Sequence, residues 1–387
     1  MKAVGIICEY NPFHKGHEYL INMAKESGDA VVAVMSGGYT QRGELAIADK
    51  YVRAEAAVKC GADLVLELPF PYSMASAEFF AAGGVSVLGG IGVDAVCFGS
   101  ESGDIGLIKR AAEIAISEEF AREREKIAEA EGSASGYFGA LGRLMGEDTS
   151  LLSNDILAVE YVKAIISRGL DIAPIAIKRI GDGFRDESVS SEIASATAIR
   201  GIIAEGGDFL RLLPDASYRT LADAVVRGEA PVDVKNIESA VLAFWRTAEP
   251  STLSSIAELG GGLEYRIRDA ALSSVTLSEL EEKSATKKYT AAKIRRAILF
   301  AMIGVTMADL DRAPEYTSVL AANGKGREIL AQVRSREGIR IVTKSADAPK
   351  CRQQELSARA DALYTLAMPS ARSAGYINTK KIYIKST

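Results

Sequence analysis

Histidine is almost missing from this chain of 387 residues: there are two, and both fall within His14-Lys15-Gly16-His17. Cysteine is scarce too. Cys8, Cys60, Cys97 and Cys351 are scattered with no C-x-x-C pairing, which argues against a disulfide framework and for reduced, mostly buried thiols in a cytoplasmic protein. No apolar run approaches the ~20 residues of a membrane span. The most apolar stretch, Phe79 to Val93, is shorter and studded with glycine, and the six residues between Lys2 and Glu9 are too few for a secretory core. Internal repeats and low-complexity tracts are absent as well. What remains is the composition of a soluble globular protein, 48% hydrophobic and 25% charged, at a length that predicts two or three domains.

The net charge of −5 hides a polarity. Residues 280–387 hold 20 Lys and Arg against 10 Asp and Glu, while the preceding residues hold 26 against 41. A basic tail on an acidic body suits a polyanionic partner, although a lysine-rich solvated surface has the same composition.

Along the chain, short apolar runs alternate with helical patterns. Lys2–Cys8, Ala30–Met35, Leu64–Leu68, Asp94–Phe98 and Ile172–Ile177 read as strands. Between them, helices are predicted from Lys15, over Asp49–Lys59 and Ser76–Leu88, as one long charged helix over 104–130, and over Asn154–Arg168. That rhythm predicts an α/β fold with an open parallel, Rossmann-like sheet in residues 1–206, closed by Ser195-Ala196-Thr197-Ala198-Ile199-Arg200 and a helix over Ala198–Ala204. Residues 207–387 read as mainly helical, with breaks at Pro214, Pro231, Pro250 and Gly260-Gly261-Gly262 and a late strand and turn within 338–347.

Loops that leave the carboxyl ends of parallel strands build ligand sites. Here those loops carry Glu9–His17, Ser36–Glu44, Gly99–Glu101 and Lys178–Asp186. His14 and His17 are three apart at a helix start, so they share a face, and Gly16 between them lets a ligand approach closely. The first turn adds unpaired N–H groups and the positive dipole end, a phosphate site in which imidazoles can donate hydrogen bonds. The same spacing also suits a metal pair or a helix cap. Ser195 or Thr197 opening its helix, with Arg200 behind, suits a phosphate chain or an ordinary N-cap. Over 285–299, Lys287, Lys288, Lys293, Arg295 and Arg296 surround Tyr289, which suits an RNA backbone with one stacked base or a basic solvent face.

The segments GIICEYNPFHKGHEYL, MSGGYTQRGELAIADKYVRAEAAVKCGADLVLELP, SAEFFAAGGVSVL with FGSE, IKR with SATAIR, and GLEYRI with KKYTAAKIRRAIL resemble the bacterial tRNA(Met) cytidine acetate ligase family, within the H-x-G-H nucleotidyltransferase superfamily. The resemblance runs from Gly5 to about Leu299 and more loosely through 324–330. It implies that ATP and acetate give acetyl-adenylate and pyrophosphate, and that the acetyl group passes to N4 of the wobble cytidine of elongator tRNA(Met) without acetyl-CoA. By matching motif it carries ATP contacts to Ile7, Cys8, Glu9, Tyr10, Asn11, Pro12, Phe13, His14, Lys15, Gly16, His17, Glu18, Tyr19 and Leu20. Gly99, Asn154, Arg179 and Ile180 complete that set, with His14 and His17 as transition-state donors. Residues 287–296 match part of the tRNA-binding helical region.

Lys178, Ser195, Thr197 and Arg200 are further phosphate candidates. Gln41 and Arg42 are candidates for acetate, or Arg42 braces its loop through Glu44 or Asp49. Mg2+ is expected to bridge the ATP phosphates. Two departures stand out: Ser153-Asn154-Asp155 where the family usually shows Pro-Asn-Asn, and Phe184-Arg185-Asp186 where it usually shows Tyr-His-Asp. Two rival readings share parts of the pattern. An adenylyltransferase for a small cofactor precursor gives the basic helical part no task. A non-catalytic RNA-binding protein with an ATP switch leaves the paired histidines unexplained.

Overall fold

The computed structural model describes residues 1–131, 133–146, 151–179, 194–333 and 338–385. Its centre is β1 (Ala3–Cys8), an apolar run buried on both faces, as the strands of a helix-covered parallel sheet must be. β1 pairs in parallel with β2 (Ala30–Ser36), and β2 with β3 (Leu64–Leu68). The chain then returns to the other side of β1 for β4 (Ala95–Ser100), and β5 (Ala173–Lys178) follows outward from it. The strand order is therefore β5-β4-β1-β2-β3, and the reversal lies between β1 and β4. In open α/β sheets that switch point leaves a crevice outside the carboxyl ends of the strands. The turn after β1, which leads into the two histidines, and the end of β4 at Gly99 lie at these carboxyl ends.

The helices are α1 (Lys15–Lys25), α2 (Lys50–Lys59), α3 (Ala77–Ile91), α4 (Ile105–Ile116), α5 (Glu118–Glu131), α6 (Ser133–Met145), α7 (Ser153–Ser167) and α8 (Ala196–Ala204). α1 and α2 cover one sheet face with Ile21, Ala24, Ala54 and Ala57. α3, α4 and α7 cover the other with residues such as Val85, Leu88, Ile108 and Val159. A Cβ at Gly5 of β1 would stand 2.6 Å from Leu88, so glycine lets α3 lie close on the strand.

Two expectations are corrected. The charged segment 104–130 is not one helix. It breaks at Ser117, whose hydroxyl accepts from the Phe120 N–H at 3.1 Å and starts a second helix, as an N-cap serine does. The sheet, wholly parallel within residues 1–206 as expected, also runs past residue 206. β6 (Tyr316–Ala322) pairs antiparallel with β3, and β7 (Arg340–Val342) and β8 (Tyr383–Ile384) pair with β6. Asn323 fixes this junction by donating its side-chain amide to Asp63 at 2.8 Å.

The rest of the C-terminal part is helical around its own core, centred on Trp245, Phe300 and Tyr364. A buried ion cluster joins it to the sheet: Lys50 at the start of α2 meets Glu67 of β3 at 2.8 Å and Asp361 of the Arg352–Leu366 helix at 3.1 Å. Cys8, Cys60 and Cys97 are buried and Cys351 is half-buried, all as free thiols. Among the described residues, no helix is long and apolar enough to cross a membrane.

Candidate active site

The chain leaves β1 through Tyr10, which takes up the left-handed region at φ 47°. This turn tucks the Tyr10 ring edge-on against His17, with centroids 4.9 Å apart, and Phe13 packs behind both. His14 then caps α1. Its Nδ1 accepts from the Gly16 N–H at 3.0 Å, and His17 Nδ1 accepts from the His14 N–H at 3.2 Å. The pair forms a capping box in which imidazoles replace the usual hydroxyl and carboxylate. The cap reading is thus met through the two Nδ1 atoms.

This geometry fixes the tautomers. A backbone N–H can only donate, so both Nδ1 atoms are unprotonated, and each neutral ring carries its proton on Nε2. Burial and the nearby Arg179 cation push His14 down to about 4, and burial, His14 and Arg179 push His17 well below the ordinary range. The rings stack with centroids 3.7 Å apart. Among the described residues neither Nε2–H has a hydrogen-bond partner. The site therefore offers two neutral donors at a helix N-terminus, where positive partial charge already gathers.

Because unfolded His14 protonates near pH 6.5 and folded His14 only near 4, stability should decline as pH falls through that window. The loss attributable to this residue is ~3 kcal/mol at its fullest. His14→Asn keeps a capping side chain but removes the titration. Its urea midpoint should vary less between pH 6.5 and 4 than that of the parent. Parallel profiles would refute the assignment.

The other expected residues gather unevenly. Gly99 and Arg179 do converge on the histidines: a Cβ at Gly99 would stand 3.2 Å from Arg179 Cγ, so the arginine stem crosses the strand end there. Lys178 is exposed beside Gly103. Ile180 and the Phe184-Arg185-Asp186 departure lie outside the described residues. At the start of α7, Glu101 accepts from the Asn154 side-chain amide at 2.5 Å and from the Asp155 N–H at 2.9 Å. Asp155 itself is buried and bonds to the Ser100 hydroxyl and to Ser102. The Ser153-Asn154-Asp155 departure thus puts a carboxylate to work on the residues that end and follow β4, and Asn154 is half-buried with its amide on Glu101. Ile7, Cys8, Tyr10, Asn11, Pro12 and Phe13 are buried, whereas Glu9, Lys15, Gly16, His17, Glu18, Tyr19 and Leu20 are half-exposed.

Several cations predicted as ligand contacts are instead tied into the protein. Arg200 donates to the Asn11 carbonyl at 3.0 Å and to Glu44 at 2.8 Å, so its charge is matched by a carboxylate and not left for a phosphate chain. Ser195 is an ordinary N-cap, accepting from the Ala198 N–H, and Thr197 accepts from Arg200. Arg42 meets neither Glu44 nor Asp49; it reaches Ser153 Oγ at 3.4 Å across the crevice rim. Gln41 is held through its backbone, with its N–H on Glu9 at 2.7 Å and its carbonyl accepting from Arg296 at 3.3 Å.

Arg296 is 7% exposed and paired with Glu258 at 2.6 Å. Arg295 bridges Glu44 and Glu281 at 3.0 and 2.9 Å. These two are therefore packing residues of the helix Ala291–Ile303, which starts at the Thr290 cap. The exposed cations of the segment are Lys287 and Lys288, with Lys293 half-buried. The ammonium groups of Lys288 and Lys293 already lie 5.5 and 5.7 Å from the centre of the Tyr289 ring.

Arg53 escapes sequence reasoning. It is 2% exposed and donates to the carbonyls of Ala48 at 2.8 Å, Glu9 at 2.5 Å and Ser36 at 3.0 Å, and also to that of Gly37. One guanidinium thereby holds together the loops after β1 and β2. The sequence carried little signal for it, because charged residues Lys50, Arg53, Glu55 and Lys59 are spread along α2 and nothing in the pattern marks Arg53 as buried. Among the described residues no group of three or more His, Cys, Asp or Glu side chains is gathered that could cage a metal ion.

A family model described as HIGH Nucleotidyl Transferase matches residues 1–377. A protein of Acetivibrio thermocellus named tRNA(Met) cytidine acetate ligase is 35% identical over 99% of this chain and 100% of its own. One of the same name from Caldicellulosiruptor saccharolyticus is 38% identical over 89% and 87%. The crystal structure of Thermotoga maritima TmcAL bound with alpha-thio ATP superposes with a TM-score of 0.90 at 31% identity, covering 100% of both chains. Its apo form gives 0.91 at 32% over the same coverage. With this similarity end to end, and with the paired histidines at the sheet's switch point, the chain belongs to the HIGH nucleotidyl transferases and, among them, to the tRNA(Met) cytidine acetate ligase family.

Proposed function

We propose that this chain activates acetate with ATP and transfers the acetyl group to N4 of the wobble cytidine of elongator tRNA(Met), leaving N4-acetylcytidine, AMP and pyrophosphate. The observation that carries this reading is the pair of neutral imidazoles whose Nε2–H groups have no partner among the described residues at the start of α1. An acetate oxygen attacks the α-phosphorus as pyrophosphate departs in line, and the protein's part is positioning and charge stabilisation. His14 and His17 donate to phosphate oxygens whose charge grows in the transition state, with the α1 dipole and Arg179 behind them.

The cytidine amine then attacks the acetyl carbonyl, loses a proton and expels AMP. On this reading the Gln41 amide and the Arg42 guanidinium at the crevice rim hold acetate. Residues 1–206 carry the ATP and acetate chemistry, and residues 207–387 carry the tRNA. A magnesium ion on the triphosphate would rely on phosphate oxygens and water, since no carboxylate cage is gathered for it among the described residues.

Incubation with ATP, labelled acetate and total tRNA, followed by nucleoside analysis, tests the whole reaction. Acetyl-CoA should not replace ATP and acetate, because a thioester donor needs no pyrophosphate expelled. Modification supported by acetyl-CoA alone would overturn the reading. A cofactor-forming adenylyltransferase would release pyrophosphate without any dependence on acetate, so that dependence separates the two.

A further inference from the structure

A cavity of about 470 Å³ lies between the loop after β2, the end of α8 and the helices of the C-terminal part. Neither histidine lines it. Its link to the histidine loop is Arg200, which forms part of its wall and donates to the Asn11 carbonyl. The volume is that of a pocket for a drug-sized group and far exceeds the needs of acetate. Leu45, Ile47, Val232, Val241, Leu277 and Leu299 make an apolar lining. The charged lining residues balance, with Glu44, Asp233 and Glu281 against Arg200, Lys235 and Arg295. A balanced lining offers no field for a triphosphate.

The polar wall is specific. Glu44 joins Arg200 to Arg295, and Arg295 Nε bonds Glu281 Oε2 at 2.9 Å. Arg295 Nη2 and Glu281 Oε1 then have no hydrogen-bond partner among the described residues. They leave a donor beside an acceptor at the margin of an apolar slot. Flat apolar faces with a donor and an acceptor at one edge are what an unpaired nucleobase presents, and guanidinium planes and apolar side chains are what such bases stack on. Arg295 stands two residues beyond Lys293, on the helix that follows Lys287 and Lys288.

We infer that the cavity receives one unpaired nucleobase of the acceptor RNA, other than the cytidine that is modified. The modified base must meet the adenylate at the histidines, which do not line this cavity. The inference rests on the reading of RNA as acceptor.

Ala204 gives the test. It lines the cavity, is exposed and ends α8, so a larger side chain there fills the space without overpacking the core. Ala204→Trp should lower kcat/KM for tRNA acetylation about tenfold, the scale of one stacked base, with acetate-dependent ATP–pyrophosphate exchange unchanged. Ala204→Leu should fall between it and the parent. Acceptors made abasic at each unpaired anticodon-loop position supply the second arm. One position should cost the parent about tenfold and cost Ala204→Trp nothing further. Acetylation by Ala204→Trp at the parental kcat/KM, or additive losses at every abasic position, would overturn the inference. Failure of the parent to show acetate-dependent exchange would instead overturn the ligase reading itself.

Discussion

His17→Ala should lower acetate-dependent ATP–pyrophosphate exchange by about two to three orders of magnitude, the cost of one well-placed transition-state donor. The circular dichroism spectrum should not change. The His17 ring packs on Tyr10, Phe13 and His14 at the sheet edge and is absent from the sheet's hydrophobic core, so its removal should leave the fold in place. It does have a second role, because His17 Nδ1 accepts the His14 N–H in the capping box. Loss of that bond costs ~1 kcal/mol of helix stability. His17→Gln separates the two roles. Glutamine is a natural partner at this place in a capping box and can take the His14 N–H through its amide oxygen. It does not restore an imidazole Nε2–H at the same reach. The glutamine variant should therefore recover the stability lost by the alanine variant and remain defective in exchange. Exchange near the parental rate in a folded His17→Ala protein would remove the histidine from the chemistry.

Much of this site was legible because few residues competed for the role. β1 is a continuous apolar run, His14 and His17 stand alone, and glycine lies between them. Strand alternation then placed the loops on one edge of the sheet, where parallel strands of this kind gather their ligands. The pairing of β6 was not legible. Tyr316–Ala322 is a short apolar run, its partner Leu64–Leu68 lies far away in sequence, and only the fold supplies the antiparallel register. The same limit hid Arg53 and misplaced Arg295 and Arg296. A sequence shows the cation but not the carbonyls or carboxylates brought to it: Glu9, Ser36 and Ala48 for Arg53, Glu44 and Glu281 for Arg295, and Glu258 for Arg296. Composition over residues 280–387 was right about excess charge and silent on which of those charges face water.

That distinction decides how charge divides the two half-reactions. Replacing Lys287, Lys288 and Lys293 together with alanine should leave acetate-dependent exchange nearly unchanged and weaken tRNA binding strongly. Lys287 and Lys288 are exposed, and none of the three makes an ion pair or hydrogen bond with the described histidine loop. If they neutralise about three phosphates, the log–log salt slope of tRNA affinity should flatten by roughly 2 to 3 units. Exposed charges act little beyond a Debye length of ~8 Å at physiological salt, so chemistry at His14 should not register their loss.

Arg296→Met should behave in the opposite manner. It breaks the pair with Glu258 and the bond to the Gln41 carbonyl, in a loop that also holds Glu9. Breaking a buried pair from one side costs ~3 kcal/mol or more, and here the loss loosens the rim of the crevice. Exchange and acetyl transfer should then fall together, with the salt slope of tRNA binding unaltered. Affinity measured at several salt concentrations beside tRNA-free exchange separates these outcomes. A slope unchanged by the lysine triple would make them a solvated helix face, and the acceptor would have to dock elsewhere.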